Sequence, residues 1–311
     1  MNVPKVTALG GGHGLYSSLS ALRTLASDLT AIVVVSDDGG SSGRLRDELH
    51  VPPPGDLRMA LSALCEDTEW GLLWRDVLQH RFSTEGPLDG HALGNLLIAS
   101  LWSRTGDVIE GLDWVARLLR AEGRVLPLAS EALQISADVE FEDGVRTVTG
   151  QVAVATAPGR ISKVWLDPAS PRVPDETLAA IRDADIVTHG PGSWYSSVLP
   201  HFLVGPVATE LIRAGPKSIL SLNIAHEDDE TIGMGRIDDI RTLQRLAPDF
   251  IPAVIIVDET HADDPDLLPL IEEWGARPIV RDLRKEGSVD RHDPDALAGA
   301  YREAFALILD G

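Results

Sequence analysis

Near its start the chain runs from a strand through a glycine turn and a helix into a second strand. That order constrains the fold more than any other feature. Val6-Thr7-Ala8-Leu9 reads as a strand and is followed at once by Gly10-Gly11-Gly12-His13-Gly14. A helix fits Leu15 to Leu25, with apolar residues at 15, 19, 22 and 25. Ala31 to Val35 is an unbroken apolar run, read as a second, buried strand. A βαβ unit of this kind implies a right-handed crossover and a parallel sheet, hence an α/β fold. In such sheets ligands bind beyond the carboxyl ends of the strands.

The rest of the chain fits the same plan. Val51-Pro52-Pro53-Pro54 breaks the chain, and a helix-rich stretch then runs to about Glu122. It holds four of the seven tryptophans, Trp70, Trp74, Trp102 and Trp114, expected as core and helix-packing residues. From 127 to 167 the pattern alternates, with turn signals at Glu142-Asp143-Gly144 and Ala157-Pro158-Gly159. This predicts a small antiparallel excursion of three or four strands. Beyond it come a helix over 175–182, strands over 185–189, 218–224, 253–257 and 277–280, and a closing helix over 296–309.

With 311 residues and a formal charge of -21, the chain lacks the basic footprint that sequence-independent nucleic-acid binding needs. An anionic ligand must therefore meet local cations. Most of these are arginines, since the lysines are only Lys5, Lys163, Lys217 and Lys285. Cys65 stands alone, which leaves no partner for a disulfide within the chain and predicts a small core residue. No apolar run reaches membrane-spanning length and no leader pattern is seen, so the expected location is the cytoplasm.

Four motifs carry chemistry. The first is the turn at Gly11, Gly12, His13 and Gly14. Glycines there let a phosphate approach the backbone, and the following helix start offers free N–H groups. The P-loop lysine is missing, and the dinucleotide fingerprint is broken at Leu15 or Ser17, depending on the glycine counted from. Asp37 does stand at roughly the distance expected of a ribose-binding acid, which keeps a nicotinamide cofactor as a third alternative.

The second motif is Ser36-Asp37-Asp38-Gly39-Gly40-Ser41-Ser42-Gly43-Arg44-Leu45-Arg46, read as a loop after the second strand. Asp37 and Asp38 suit a cation or sugar hydroxyls. Gly40, Ser41, Ser42 and Gly43 suit phosphate, with Arg44 as the clamp. Arg46 could equally pair with Asp47 or Glu48. Asp56, in Pro53-Pro54-Gly55-Asp56-Leu57-Arg58, is either a helix cap or a third carboxylate for the same site. Asn95, after His91 and Gly94, either caps a helix or sets its amide on base, ribose or phosphate.

The third motif, Thr188-His189-Gly190-Pro191-Gly192-Ser193-Trp194-Tyr195-Ser196-Ser197, repeats the logic of strand, glycine turn and hydroxyl-rich helix start. Gly190, Pro191, Gly192, Ser193 and Ser196 are the candidates there, and the spacing does not make a nucleophile elbow. The fourth is Arg291-His292-Asp293, where Asp293 can cap the last helix and Arg291 can meet a ligand or a carboxylate. Histidines at 189, 201, 226 and 292 lack a metal-ligand spacing.

Gly10-Gly11-Gly12-His13-Gly14-Leu15, the Ser36 to Arg46 stretch, Pro53-Pro54-Gly55-Asp56 with Arg58, Gly94-Asn95, Gly190-Pro191-Gly192-Ser193 and Arg291-His292-Asp293 together resemble the YvcK-like proteins. These are the gluconeogenesis-factor branch of the 2-phospho-L-lactate transferase (CofD-like) superfamily. The resemblance runs over essentially the whole chain, in order. It implies a Rossmann-like three-layer α/β/α fold with a mainly parallel sheet, as a single CofD-like domain over 1–311. It also implies a cytoplasmic bacterial protein that binds UDP-sugars, notably UDP-N-acetylglucosamine. Such proteins serve cell shape and peptidoglycan synthesis during gluconeogenic growth, and no reaction is attached to the branch.

The related transferases move a phospho-lactyl group onto a deazaflavin with a divalent metal. The transferase alternative therefore makes Asp37, Asp38 and Asp56 ligands for Mg2+, the cofactor of that alternative. The Asp-Asp-Gly-Gly-Ser-Ser-Gly form favours the regulatory branch. Relatives commonly carry Ser-Leu-Tyr-Thr-Ser where this chain has Ser193-Trp194-Tyr195-Ser196-Ser197, so Trp194 is expected to reshape the pocket rim. The diphosphate is expected on the turns at Gly10 and Gly190, with Arg44 and Arg291 supplying charge. A homodimer, the commonest oligomer, and a regulatory protein partner complete the expectations.

Overall fold

The computed structural model describes residues 3–224, 235–288 and 290–310; His226 lies outside them. Lys5–Gly10 (β1) leads into Gly12–Leu22 (α1) and Asp28–Val33 (β2). Five helices follow, Gly40–Leu49 (α2), Gly55–Ala63 (α3), Glu69–Gln79 (α4), Leu93–Thr105 (α5) and Val108–Leu119 (α6), before Arg124–Pro127 (β3). Gln134–Phe141 (β4) and Gly144–Thr149 (β5) form a hairpin, followed by Gln151–Ala155 (α7) and Arg160–Asp167 (β6). Asp175–Asp183 (α8) and Ile186–His189 (β7) come next, then a π-helical turn at Trp194–Val198. Pro200–Leu203 (α9), Gly205–Ala214 (α10), Ser218–Ser221 (β8), Arg236–Leu246 (α11), Val254–Asp258 (β9), Leu267–Glu273 (α12), Arg277–Arg281 (β10) and Pro294–Leu309 (α13) close the order.

Seven strands form one sheet in the order β10-β9-β8-β7-β1-β2-β3, and every pairing in it is parallel. Helices cover both faces. The sequence shows why: β1, β7, β8 and β9 are buried almost end to end, as strands covered on both sides must be. A second sheet, β5-β4-β6, is antiparallel and lies within the predicted 127–167 excursion. No described helix is long and apolar enough to cross a membrane.

The chain leaves β1 for β2 on one side and later returns to pair β7 on the other. The order therefore reverses at β1, and the crevice between the ends of β1 and β7 is the topological switch point. Both glycine turns lie there.

Several sequence readings shift. The first helix begins at Gly12, inside the glycine turn, with Gly11 as its N-cap. The Ser36 to Arg46 stretch is a loop only to Gly39, because α2 starts at Gly40 and takes in Ser41 to Arg46. Asp56 is not a cap: it sits in the first turn of α3, whose N-cap is Pro54. Asn95 lies inside α5, whose N-cap is Ala92. Trp102 is buried, yet Trp70 and Trp114 are 43% and 48% exposed, so they are not core. Arg120 and Arg117 stack over these two rings at the surface. Cys65 is buried, as expected.

Two core histidines make stability depend on pH. Burial pushes His189 down to about 3 and His201 down to about 4. Both are therefore neutral in the fold and protonate on unfolding below the ordinary histidine value near 6.5. Their contribution is complete above that value and falls as the pH drops below it. Asp56 and Asp239, both raised to about 7 by burial, act in the opposite sense over the same range. A variant isolates the histidine effect. Phenylalanine fits beside Phe202 and Phe250, and Ser218 keeps its bond to the Ala214 carbonyl. His189→Phe is expected to lose about 2 kcal/mol less stability than the wild type between pH 7 and pH 5. Urea unfolding at the two pH values checks this; parallel losses would contradict it.

Candidate functional site

The two glycine turns touch each other backbone to backbone. A Cβ on Gly14 would collide with the Pro191 carbonyl and stand 2.6 Å from the Gly192 Cα. Only a residue without a side chain lets α1 start this close to the second turn. Gly190 and Gly192 have φ of +69° and +144°. The turns form one continuous floor, and the cavity lies along it.

That cavity is about 280 Å3, close to the lower bound of about 300 Å3 for small-molecule pockets. His13, Gly14, Tyr16 and Ser17 line it from α1, Pro191 and Gly192 from the second turn, and Asn223 from beyond β8. Lys285, Asp290, Arg291, His292 and Pro294 close it from the segment before α13. It thus brings together five of the predicted residues, His13, Gly14, Pro191, Gly192 and Arg291.

Position follows from local structure. The N–H groups of His13 and Gly14 belong to the first turn of α1, which has no intrahelical acceptor for them. Residues 283–285 pair with residues 291–293: the Lys285 N–H donates to the Arg291 carbonyl at 2.8 Å and the Asp293 N–H to the Leu283 carbonyl at 2.8 Å. This sets Lys285 and Arg291 opposite each other. Fully buried Asp258 anchors the turn, accepting from the Leu283 N–H at 2.9 Å and the Thr260 N–H at 3.0 Å. Burial alone would raise the Asp258 carboxyl; the Thr260 hydroxyl, these two N–H groups and the Arg284 charge together hold it below its ordinary value. Asp293 Oδ1 caps α13, accepting from Asp295 and Ala296. Burial pushes His292 down to about 4, so the cavity wall carries a neutral imidazole.

The Ser36 to Arg46 residues are arranged otherwise than predicted. Asp38 is engaged by backbone: its Oδ2 accepts from the Gln151 N–H at 2.9 Å and its Oδ1 from the Val152 N–H at 3.1 Å, capping the start of α7. Arg44 does not reach the cavity, because it donates to the Pro87 and Asp89 carbonyls. Arg46 donates to the Leu133 carbonyl, not to Asp47 or Glu48. Ser41 and Ser42 are buried and bond Asn95 Nδ2 at 3.0 and 3.4 Å. Ser41 also bonds His91 Nδ1 at 3.0 Å, and Asn95 Oδ1 accepts from Arg58 Nε at 2.9 Å. Gly43 packs against the Asp38 carbonyl, while Gly40 turns the chain at φ +47°. This network ties α2 to α3 and α5, and within it the buried Arg58 Nη1 has no hydrogen-bond partner.

Part of the second motif does reach the first. A Cβ on Gly11 would stand 2.8 Å from Asp56 Oδ2 and 3.1 Å from Ser197 Oγ; one on Gly55 would stand 2.7 Å from Asp37 Oδ2. Asp37 and Asp56 therefore converge beside the first turn, and Asp56 accepts the Gly12 N–H. Burial first, and Asp37 second, raise the Asp56 carboxyl to about 7. Among the described residues no three His, Cys, Asp or Glu side chains are arranged to hold a metal ion. The predicted trio is broken by Asp38, whose oxygens cap a helix. In the second turn, Ser193 and Ser196 bond each other, and the Ser196 N–H donates to Ser193 Oγ.

Sequence reasoning missed Tyr16, Ser17, Asn223 and Asp290 as lining residues, and singled out Lys285 and His292 only for other reasons. Lys285 had a signal, being one of four lysines in a strongly acidic chain. Asn223 had none, since no motif surrounds it.

The family 2-phospho-L-lactate transferase CofD matches residues 6–291. A gluconeogenesis factor of Bacillus subtilis is 39% identical over 283 residues, 91% of this chain and 87% of that protein. One of Halalkalibacterium halodurans is 40% identical over 311 residues, 100% of this chain and 92% of that protein. A crystal structure of a UPF0052 family member from Bacillus halodurans superimposes with a TM-score of 0.86 at 35% identity, covering 96% of this chain and 99% of that one.

The contact between the turns is testable by substitution. Gly14→Ala is expected to cost about 3 kcal/mol, because the added methyl meets backbone that cannot step aside. Gly299→Ala is the control: it lies in α13 with nothing within 4 Å of an added Cβ, and should stabilise by about 0.5–1 kcal/mol. Urea unfolding of both measures the difference. A Gly14→Ala protein as stable as the wild type would mean that the turns do not touch.

Proposed function

The chain belongs to the 2-phospho-L-lactate transferase CofD family, with the gluconeogenesis factors as its near relatives, and on that premise we propose that it binds a nucleotide-sugar of the UDP-N-acetylglucosamine class as a regulator. One observation carries the reading. Lys285 and Arg291 stand opposite each other on one turn, both line the cavity, and neither has an ion-pair partner among the described residues. Like charges set opposite one another destabilise a paired segment. An anion between them removes that repulsion. His13 and Gly14, in the first turn of α1, border the same cavity, and their N–H groups add the partial positive charge of a helix start. Two cations and a helix N-terminus suit a diphosphate, and Tyr16 suits the groups attached to it.

The reading carries further consequences of the family. The protein would act in the cytoplasm, in support of cell shape and peptidoglycan synthesis during gluconeogenic growth. A protein partner would read its ligand-bound state, and a homodimer is the simplest assembly.

A second reading rests on Asp37 and Asp56. Mg2+ is commonly held by one or two carboxylates together with substrate phosphate oxygens and water. Asp37 and Asp56 fit that donor set, without Asp38. Bound there, the ion would neutralise phosphoryl charge in a transferase reaction. The pair lies beside Gly11 and Gly12, on the floor shared with the cavity.

Isothermal titration with UDP-N-acetylglucosamine tests the first reading. Each charge-assisted bond contributes about 1.5–3 kcal/mol, so Lys285→Ala and Arg291→Ala should each weaken binding by roughly tenfold or more. Arg44→Ala should leave affinity within about twofold, because Arg44 lies elsewhere. An absence of heat and of thermal stabilisation at millimolar ligand would defeat the reading. Repeating the titration with Mg2+ and with EDTA separates the two readings. Tighter binding with Mg2+ that disappears in Asp56→Asn favours the transferase; indifference to both favours the regulator.

A further inference from the structure

The second glycine turn is held by a side chain that no motif announces. The Gly192 N–H donates to Asn223 Oδ1 at 2.7 Å, and Asn223 Nδ2 donates to the Gly192 carbonyl at 2.7 Å. A single amide thus takes both polar groups of one glycine. Only this side-chain orientation satisfies both, since oxygen accepts and nitrogen donates. The bonds extend the sheet: β7 and β8 pair in parallel as far as His189 and Leu220, and Asn223 links the two segments three residues further on.

The turn needs such a link. Gly192 has φ of +144°, a conformation in which glycine is barely restrained by its own sterics. One side of the turn is closed by Gly14, and Gly190 rests on the end of β8, where its Cβ would stand 2.9 Å from the Ser221 carbonyl. The remaining freedom is rotation of the Gly192 peptide, and the Asn223 amide is the group that stops it. Gly192 also lines the cavity, so its placement shapes the wall.

We propose that Asn223 is a positioning residue for nucleotide-sugar binding: it locks the Gly192 peptide so that the cavity wall is formed before the ligand arrives. This rests on the reading of the cavity given above. Without the lock, the ligand must order the turn as it binds, and that cost lowers affinity. It also follows that the Gly192 N–H is not a ligand donor, and that the anion is held by the first turn and the two cations.

The test combines amide hydrogen exchange at Gly192 with titration of UDP-N-acetylglucosamine, on the full chain. In the wild type the Gly192 amide should be protected without ligand and should change little when ligand is added. In Asn223→Ala it should exchange on the order of 100-fold faster, and affinity should fall about tenfold with little change in Tm. Protection that appears only with ligand overturns the proposal, as does wild-type affinity in Asn223→Ala. So does weakened binding with the Gly192 amide still protected. If Asn223→Ala does not fold, the wild-type exchange pattern decides alone. A wild type that binds no UDP-sugar defeats the reading of the cavity instead, and its Gly192 protection without ligand is measured independently of that result.

Discussion

The backbone contact of Gly14 with Pro191 and Gly192 is the constraint on which the rest of the site depends. Parallel strands leave a crevice where their order reverses, and here the turns from the two sides meet across it. Once they meet, α1 must begin inside the glycine run, and its first amides must open along the joined turns. The cavity walls are then set by what flanks that floor: Asn223 beyond β8 and the anchored turn before α13.

Electrostatics follow from this geometry. A chain with a formal charge of -21 repels anions overall. The cavity counters that field locally with Lys285, Arg291 and the start of α1. The carboxylates of the neighbouring network are kept from cancelling it in different ways. Asp38 is spent on α7, Asp258 anchors the turn, and Asp56 is pushed by burial toward its neutral form. The chemistry of the pocket is therefore a balance between where acids are tied down and where cations are left unpaired.

Much of the fold was legible in the sequence because a parallel sheet writes itself as apolar runs ending in glycine turns. The β1 and β7 turns could be found that way, and Arg291 from the Arg291-His292-Asp293 motif before the closing helix. The Ser36 to Arg46 stretch could not be read correctly, because glycine and serine suit a phosphate loop and a buried helix start equally well. Which one forms depends on Asn95, distant in sequence, whose amide bonds the serine hydroxyls and is itself held by Arg58. Asn223 escaped notice for a related reason, and Lys285 stood out only as one of four lysines. Their roles come from a cross-strand position and a side-chain-to-backbone pair, neither of which leaves a local pattern.

The central claim is that the first glycine turn and the Lys285–Arg291 pair form the anion site, with the Ser41 to Arg44 helix start as framework. A crystal structure of the protein with UDP-N-acetylglucosamine tests it most directly. The account predicts diphosphate density against the His13 and Gly14 amides and between Lys285 and Arg291. Diphosphate density on Ser41, Ser42 and Arg44, with the cavity along the joined turns left empty, would contradict it.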